Sequence, residues 1–207
     1  MMITPPETLE AIADRVRACQ LCALAGTRKN AVPGVGSPDA DIMLIGEGPG
    51  HHENEQGLPF VGASGKLLDE LLAGIGLNRE DVYITNVIKC RPPGNRDPQP
   101  EEIDVCRAYL DGQIALIDPR VIVTLGRFSM ARWFPGARIS TIHGQPKRIG
   151  ARMVVPMFHP AAALHQPKYR PLLHQDFKML PGFIAQMQSE NGLEGDPEQS
   201  LEQLSLL

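Results

Sequence analysis

Four short apolar runs decide most of what this chain can become: Ile42–Ile45, Val82–Ile88, Val121–Leu125 and Met153–Phe158. Their length suits buried strands, and helical patterns lie between them. Gly65–Ile75 sets Leu67, Leu68, Leu71, Leu72 and Ile75 on one face. Pro100–Ile117 does the same with Ile103, Cys106, Leu110, Ile114 and Ile117. Pro100 and the two glutamates behind it suit a helix N-terminus. An amphipathic helix is expected over Pro6–Arg17, capped by Thr8 or Thr4. A short helix follows Gly126 as far as Trp133, and Pro167–Gln186 is helical in part, with Pro171 as a breaker or first-turn residue. Strands alternating with helices predict an α/β fold, a three-layer αβα domain around a central, mostly parallel four-stranded sheet. One domain is expected over residues 1–187. The polar, acidic stretch 188–207 is expected to be a disordered tail.

Composition narrows the class. The chain has 207 residues, 43% of them apolar, which is enough for one sizeable core. No run approaches the roughly 18 apolar residues of a membrane span. The polar N-terminal stretch lacks a signal peptide's apolar segment, so a cytoplasmic, monomeric protein with no membrane partner is the default. A formal net charge of −4 speaks against a nucleic-acid partner only for the whole surface, and a local basic patch overrules it.

The four cysteines are Cys19, Cys22, Cys90 and Cys106. In a reducing compartment disulfides are not expected of them. Cys19-Gln20-Leu21-Cys22 puts two thiolates on one turn, and the other two supply ligands from the far side. Zinc and a [4Fe–4S] cluster both accept such a set. The wide second pair favours the cluster. Its expected role is structural, a staple joining the N-terminal helix, the end of the second strand and the following helix.

The loop Gly46–Gly62, GEGPGHHENEQGLPFVG, leaves the carboxyl end of the first strand, where α/β folds place their chemistry. Parallel topology brings three further features to that edge: Asn86, the loop after Leu125, and His159. A phosphate cradle is disfavoured, since neither GxxxxGK[ST] nor GxGxxG occurs. The loop, the NVIKC around Asn86, the four cysteines and FHPAA at Phe158–Ala162 together resemble the family 4 uracil-DNA glycosylases, the iron–sulfur branch of that superfamily. The resemblance runs from about Ala18 to about Phe183. Two departures are visible: His51 and His52 stand where the family often has acidic or amide residues, and Asn54 where it usually has Asp.

The resemblance implies hydrolysis of the N-glycosidic bond of uracil in double- or single-stranded DNA, leaving an abasic site, with no added metal ion for catalysis. The residues suit that chemistry. Phe60 offers a ring for a flipped base to stack on, although alone it would pass for a core aromatic. Asn86 matches the O4 acceptor and N3–H donor of uracil and mismatches cytosine. His159 and the Gly48 backbone N–H can donate to uracil O2 as charge develops there, with Gly46 beside them. Glu47 is the first candidate for the water and the sugar cation. Glu53 is the second, or else lines the C5 side against thymine. Asn54 and Gln56 are expected to hold the loop together. Arg91, Arg127, Lys168 and Arg170, with Lys89 and Arg96 among other cations, are expected on the DNA face. A non-catalytic iron–sulfur DNA-binding module of the same fold is the alternative, disfavoured by Glu47, Phe60, Asn86 and His159 occurring together.

Overall fold

The structure, a computed structural model, describes residues 8–193. It opens with helix α1 (Leu9–Ala18), whose first turn is capped by Thr8 Oγ1 accepting the Ala11 N–H. Strand β1 (Val35–Gly36) and strand β2 (Ile42–Gly46) follow. Next come α2 (His51–Gln56), α3 (Ala63–Ala73), β3 (Tyr83–Asn86) and the long α4 (Pro100–Ile117). The second half carries β4 (Val121–Leu125), two single-turn helices α5 (Arg127–Met130) and α6 (Ile139–Ile142), and strands β5 (Lys147–Ile149) and β6 (Arg152–Met157). Helices α7 (Pro160–His165), α8 (Tyr169–Lys178) and α9 (Leu180–Leu193) close it.

The sheet has six strands in the order β1-β3-β2-β4-β6-β5. The four inner strands run parallel; only β1 and β5, on the two edges, pair antiparallel. This corrects the expected count of four. The four apolar runs are the inner strands, and β2 and β4 are buried along their whole length. The added edges are two and three residues long and largely exposed, so no apolar pattern announces them.

Alternation along β2 divides the core in two. Ile42 and Leu44 pack with Leu68, Leu72 and Phe177 on one face. Met43 and Ile45 pack with Ile12, Val16, Leu110 and Ile114 on the other. Helices α1 and α4 therefore cover one side, and α3 and α8 the opposite one. Helix α9 runs into the stretch expected to be a tail; the rest of that stretch lies outside the described residues. No described helix is long and apolar enough to cross a membrane.

Candidate active site

Register places the site before any side chain is considered. Gly46 ends β2 directly beside Asn86, the last residue of β3. Pairing continues beyond the strands: the Gly46 and Glu47 carbonyls accept the Val87 and Ile88 N–H groups at 3.0 and 3.1 Å. The start of the loop is thus fixed against the segment that carries Asn86. The packing demands glycine twice. A Cβ at position 46 would stand 2.3 Å from Asn86 Oδ1 and 2.8 Å from Phe60 Cζ. One at position 48 would stand 2.6 Å from Ile88 Cγ1.

A cleft of about 260 Å³ opens at this edge, lined by Glu47, Gly48, Glu53, Phe60, Asn86 and His159 among others. These are the residues the sequence nominates, and Gly46 lies behind their wall. Asn86 is 2% exposed, and its Oδ1 is a buried acceptor without a hydrogen-bond partner among the described residues. Leaving such an atom unpaired costs roughly 1–3 kcal/mol. At a cleft it marks a place where a ligand's donor is wanted.

Phe60 is buried and holds a left-handed backbone conformation, φ 52°. The Arg79 guanidinium, itself paired with Asp69, donates to the carbonyls of Pro59 and Phe60 and pins this turn. The Phe60 ring stacks on His159, centroids 5.4 Å apart and planes 23° from parallel. His159 follows β6 and caps α7: its Nδ1 accepts the Ala161 N–H at 3.1 Å. The ring's proton must then sit on Nε2, which is left as a donor. His159 keeps some surface toward the cleft but lies deep in the protein. That burial pushes its pKa down to about 4, against the opposing pull of the Glu53 carboxylate, so the imidazole is neutral near pH 7.

The two candidate carboxylates differ. Glu47 is half-buried; burial, then the Asp97 charge, raises its pKa, while Arg127 opposes. Glu53 is committed to its own loop. Its Oε2 accepts the Gly50 N–H, and its Oε1 accepts those of Val61 and Gly62, at 3.0–3.1 Å. Asn54 also holds chain in place, through an Oδ1 that accepts the Lys29 N–H and a carbonyl that accepts from Asn30. Glu53 and Asn54 thus tie both ends of α2 to neighbouring chain.

The expected DNA contacts fare unevenly. Arg91 donates to Asn95 Oδ1 at 2.7 Å, and Asn95 lines the cleft. Arg127 pairs with Asp97 on the surface. Arg170 pairs with Glu70, and the Lys168 ammonium lies 5.1 Å from the Tyr169 ring centre. Lys89 is a correction: it is 1% exposed, so it cannot touch DNA. Its ammonium donates to Thr85 Oγ1, Gln113 Oε1 and the Asn86 carbonyl. Ser64, Ile88 and Asn95 also line the cleft, beyond the residues that the sequence singles out. The loop RPPGNR carries a signal for Asn95; Ser64 and Ile88 carry none.

Cys90 and Cys106 are buried and Cys19 and Cys22 half-buried, all as free thiols. Cys90 lies within charge-interaction range of Cys22 and Cys19, and Cys106 within range of Cys90 and Cys22. Arg28 donates to Cys90 Sγ at 3.1 Å and to the Arg17 and Cys19 carbonyls. Yet no three His, Cys, Asp or Glu among the described residues are set to hold one metal ion.

A family model described as the uracil DNA glycosylase superfamily matches residues 33–179. The chain is 48% identical over 183 residues to a type-4 uracil-DNA glycosylase of Archaeoglobus fulgidus, covering 84% of this chain and 92% of that protein. It is 42% identical over 188 residues to a type-4 uracil-DNA glycosylase of Thermotoga maritima, covering 88% and 98%. A type-5 uracil-DNA glycosylase of Thermus thermophilus matches at 33% over 153 residues, covering 58% and 69%.

Proposed function

This chain belongs to the uracil-DNA glycosylase superfamily, and from that premise we propose that it excises uracil from DNA by hydrolysing the N-glycosidic bond. The observation that carries the reading is the unpaired, buried Asn86 Oδ1 at the cleft. Uracil supplies the missing donor, N3–H, while the Asn86 amide donates to O4. Cytosine would set like groups against each other at both positions.

The remaining roles follow from where charge develops. The base leaves the stack and lies against the Phe60 ring. As the glycosidic bond breaks, negative charge grows on uracil O2, and the Nε2–H of neutral His159 donates to it, joined by the Gly48 N–H. Because the imidazole already holds its proton on Nε2, it needs no acid to prepare it. Glu47 faces the sugar's positive charge and orients the attacking water. The commitment of Glu53 to three backbone donors supports a loop-holding role and a wall on the C5 side for it, and leaves Glu47 as the carboxylate with capacity to spare.

The donor chemistry of Cys19, Cys22, Cys90 and Cys106 fits a [4Fe–4S] cluster. Cys90 interacts with Cys19 and Cys22, and Cys106 with Cys90 and Cys22, so the four thiols would hold the cluster together. When bound, the cluster supplies an anchor for three segments and no step of the hydrolysis. DNA is held by Arg91, Arg127, Lys168 and Arg170, with Arg127 and Arg170 exchanging their surface acids for phosphates.

The test is direct. A uracil-containing oligonucleotide incubated with brown protein, without added metal ion, should be cut on alkali treatment. An intact strand would defeat the reading.

A further inference from the structure

Residues 86–90 join two places. Asn86 ends in the cleft, and Cys90 belongs to the cysteine site. Between them, the Lys89 side-chain nitrogen meets three acceptors inside the protein: Thr85 Oγ1 at 2.6 Å, Gln113 Oε1 at 2.7 Å and the Asn86 carbonyl at 2.9 Å. None of these acceptors is a carboxylate. Burying an ammonium among neutral acceptors is costly, and an apolar residue would fill the space with less penalty. The backbone of Lys89 is equally engaged. Its carbonyl accepts the Val32 N–H at 2.8 Å, and its N–H lies close enough to Cys106 to act on that thiol. Thr85 Oγ1 and Gln113 Nε2 both donate to the Pro33 carbonyl at 2.8 Å. One polar cage thus grips β3, α4 and the Val32–Pro33 segment.

We propose that Lys89 is a positioning residue for base reading: it locks Asn86 to the cysteine site, so that order in the pocket and integrity of that site depend on each other. This rests on Asn86 reading uracil and on the four cysteines holding a cluster. A residue at the hinge of two sites couples them whenever both need the same local arrangement, and the coupling is reciprocal. Uracil in the pocket therefore protects the cluster, and loss of the lysine's grip weakens uracil more than it weakens DNA. Removing a lysine that only stabilised the fold would lower the melting temperature and leave both relations unchanged.

The experiment uses cluster-loaded protein and free uracil, with binding followed by calorimetry and the cluster by its visible absorbance. In the native protein, saturating uracil should slow bleaching by an iron chelator about fivefold, at the low end of ordinary site-to-site coupling. In Lys89→Met, bleaching at matched uracil saturation should show no such protection. Uracil affinity should fall about tenfold while affinity for an abasic-site oligonucleotide holds, again within ordinary coupling. Saturable uracil binding to native protein without protection overturns the coupling and leaves the glycosylase reading standing. Equal protection in Lys89→Met overturns the role of the lysine. The native-protein arm decides the coupling even if the variant does not fold.

Discussion

At the scale of single residues, Asn86 and His159 carry the sharpest expectations. Asn86→Asp keeps the shape but removes the donor to O4 and adds a buried charge. Uracil excision should fall at least tenfold, measured as kcat/KM, since each unmatched buried group costs about 1–3 kcal/mol. Unchanged kcat/KM would take Asn86 out of base reading. The pH profile separates the two other groups. His159, at about 4, stays neutral through the range where an ordinary histidine titrates near 6.5, so no limb should appear there. Glu47, raised above 4.5 by burial and by Asp97, should set the acid limb as it takes up its proton. Glu47→Gln should abolish that limb along with most of the rate. Lys89 shows why part of the site is hidden in the sequence. A lysine between a strand and a proline-rich loop reads as surface by default. Only folding reveals that Thr85, Gln113 and the Asn86 carbonyl meet around it.

Among elements, legibility follows burial. Strands covered on both faces are continuous apolar runs, so the inner four are readable along with their parallel direction. The antiparallel edges are not, because Val35–Gly36 and Lys147–Ile149 show no alternation over so few residues. Helix α2 passes for plain loop for a similar reason: HHENEQ has no apolar stripe. What makes it a helix is Glu53 holding the Gly50 N–H at its start and Gly57 turning left-handed at its end, φ 73°. The walls of the cleft are thus built by loop chemistry, and they should be sensitive to small added volume. Gly46→Ala drives a methyl into Asn86 Oδ1 and the Phe60 ring. Excision should drop by far more than the shift in melting temperature implies, measured by kcat/KM beside calorimetry. Retained excision would mean that the wall yields.

For the molecule as a whole, acid and salt give separate readouts. Native His159 refuses a proton below its ordinary 6.5 that the unfolded chain accepts. Its contribution to stability is therefore intact above about 6.5 and is lost as pH falls toward about 4, by about 3 kcal/mol at most. Denaturant midpoints at pH 7 and pH 4.5 should show a loss of that order, and His159→Gln should flatten it. Salt reports on DNA. With a net charge of −4, binding must rest on a local patch. If Arg91, Arg127, Lys168 and Arg170 each meet one phosphate, log affinity should fall with log salt at a slope of about −3 to −4. Lys168→Ala should shorten that slope by about one; an unaltered slope would remove Lys168 from the contact.

The turn pinned by Arg79 has a consequence of another kind. The turn that carries the aromatic wall of the cleft is held by a guanidinium that does not itself line the cleft. Any drift in that outer residue re-aims Phe60 without altering a single residue that lines the cavity. A change of substrate range in this lineage can therefore begin at a site that no inspection of the cavity would flag. A library aimed at new damaged bases should vary Arg79 and Asp69 before it touches Phe60.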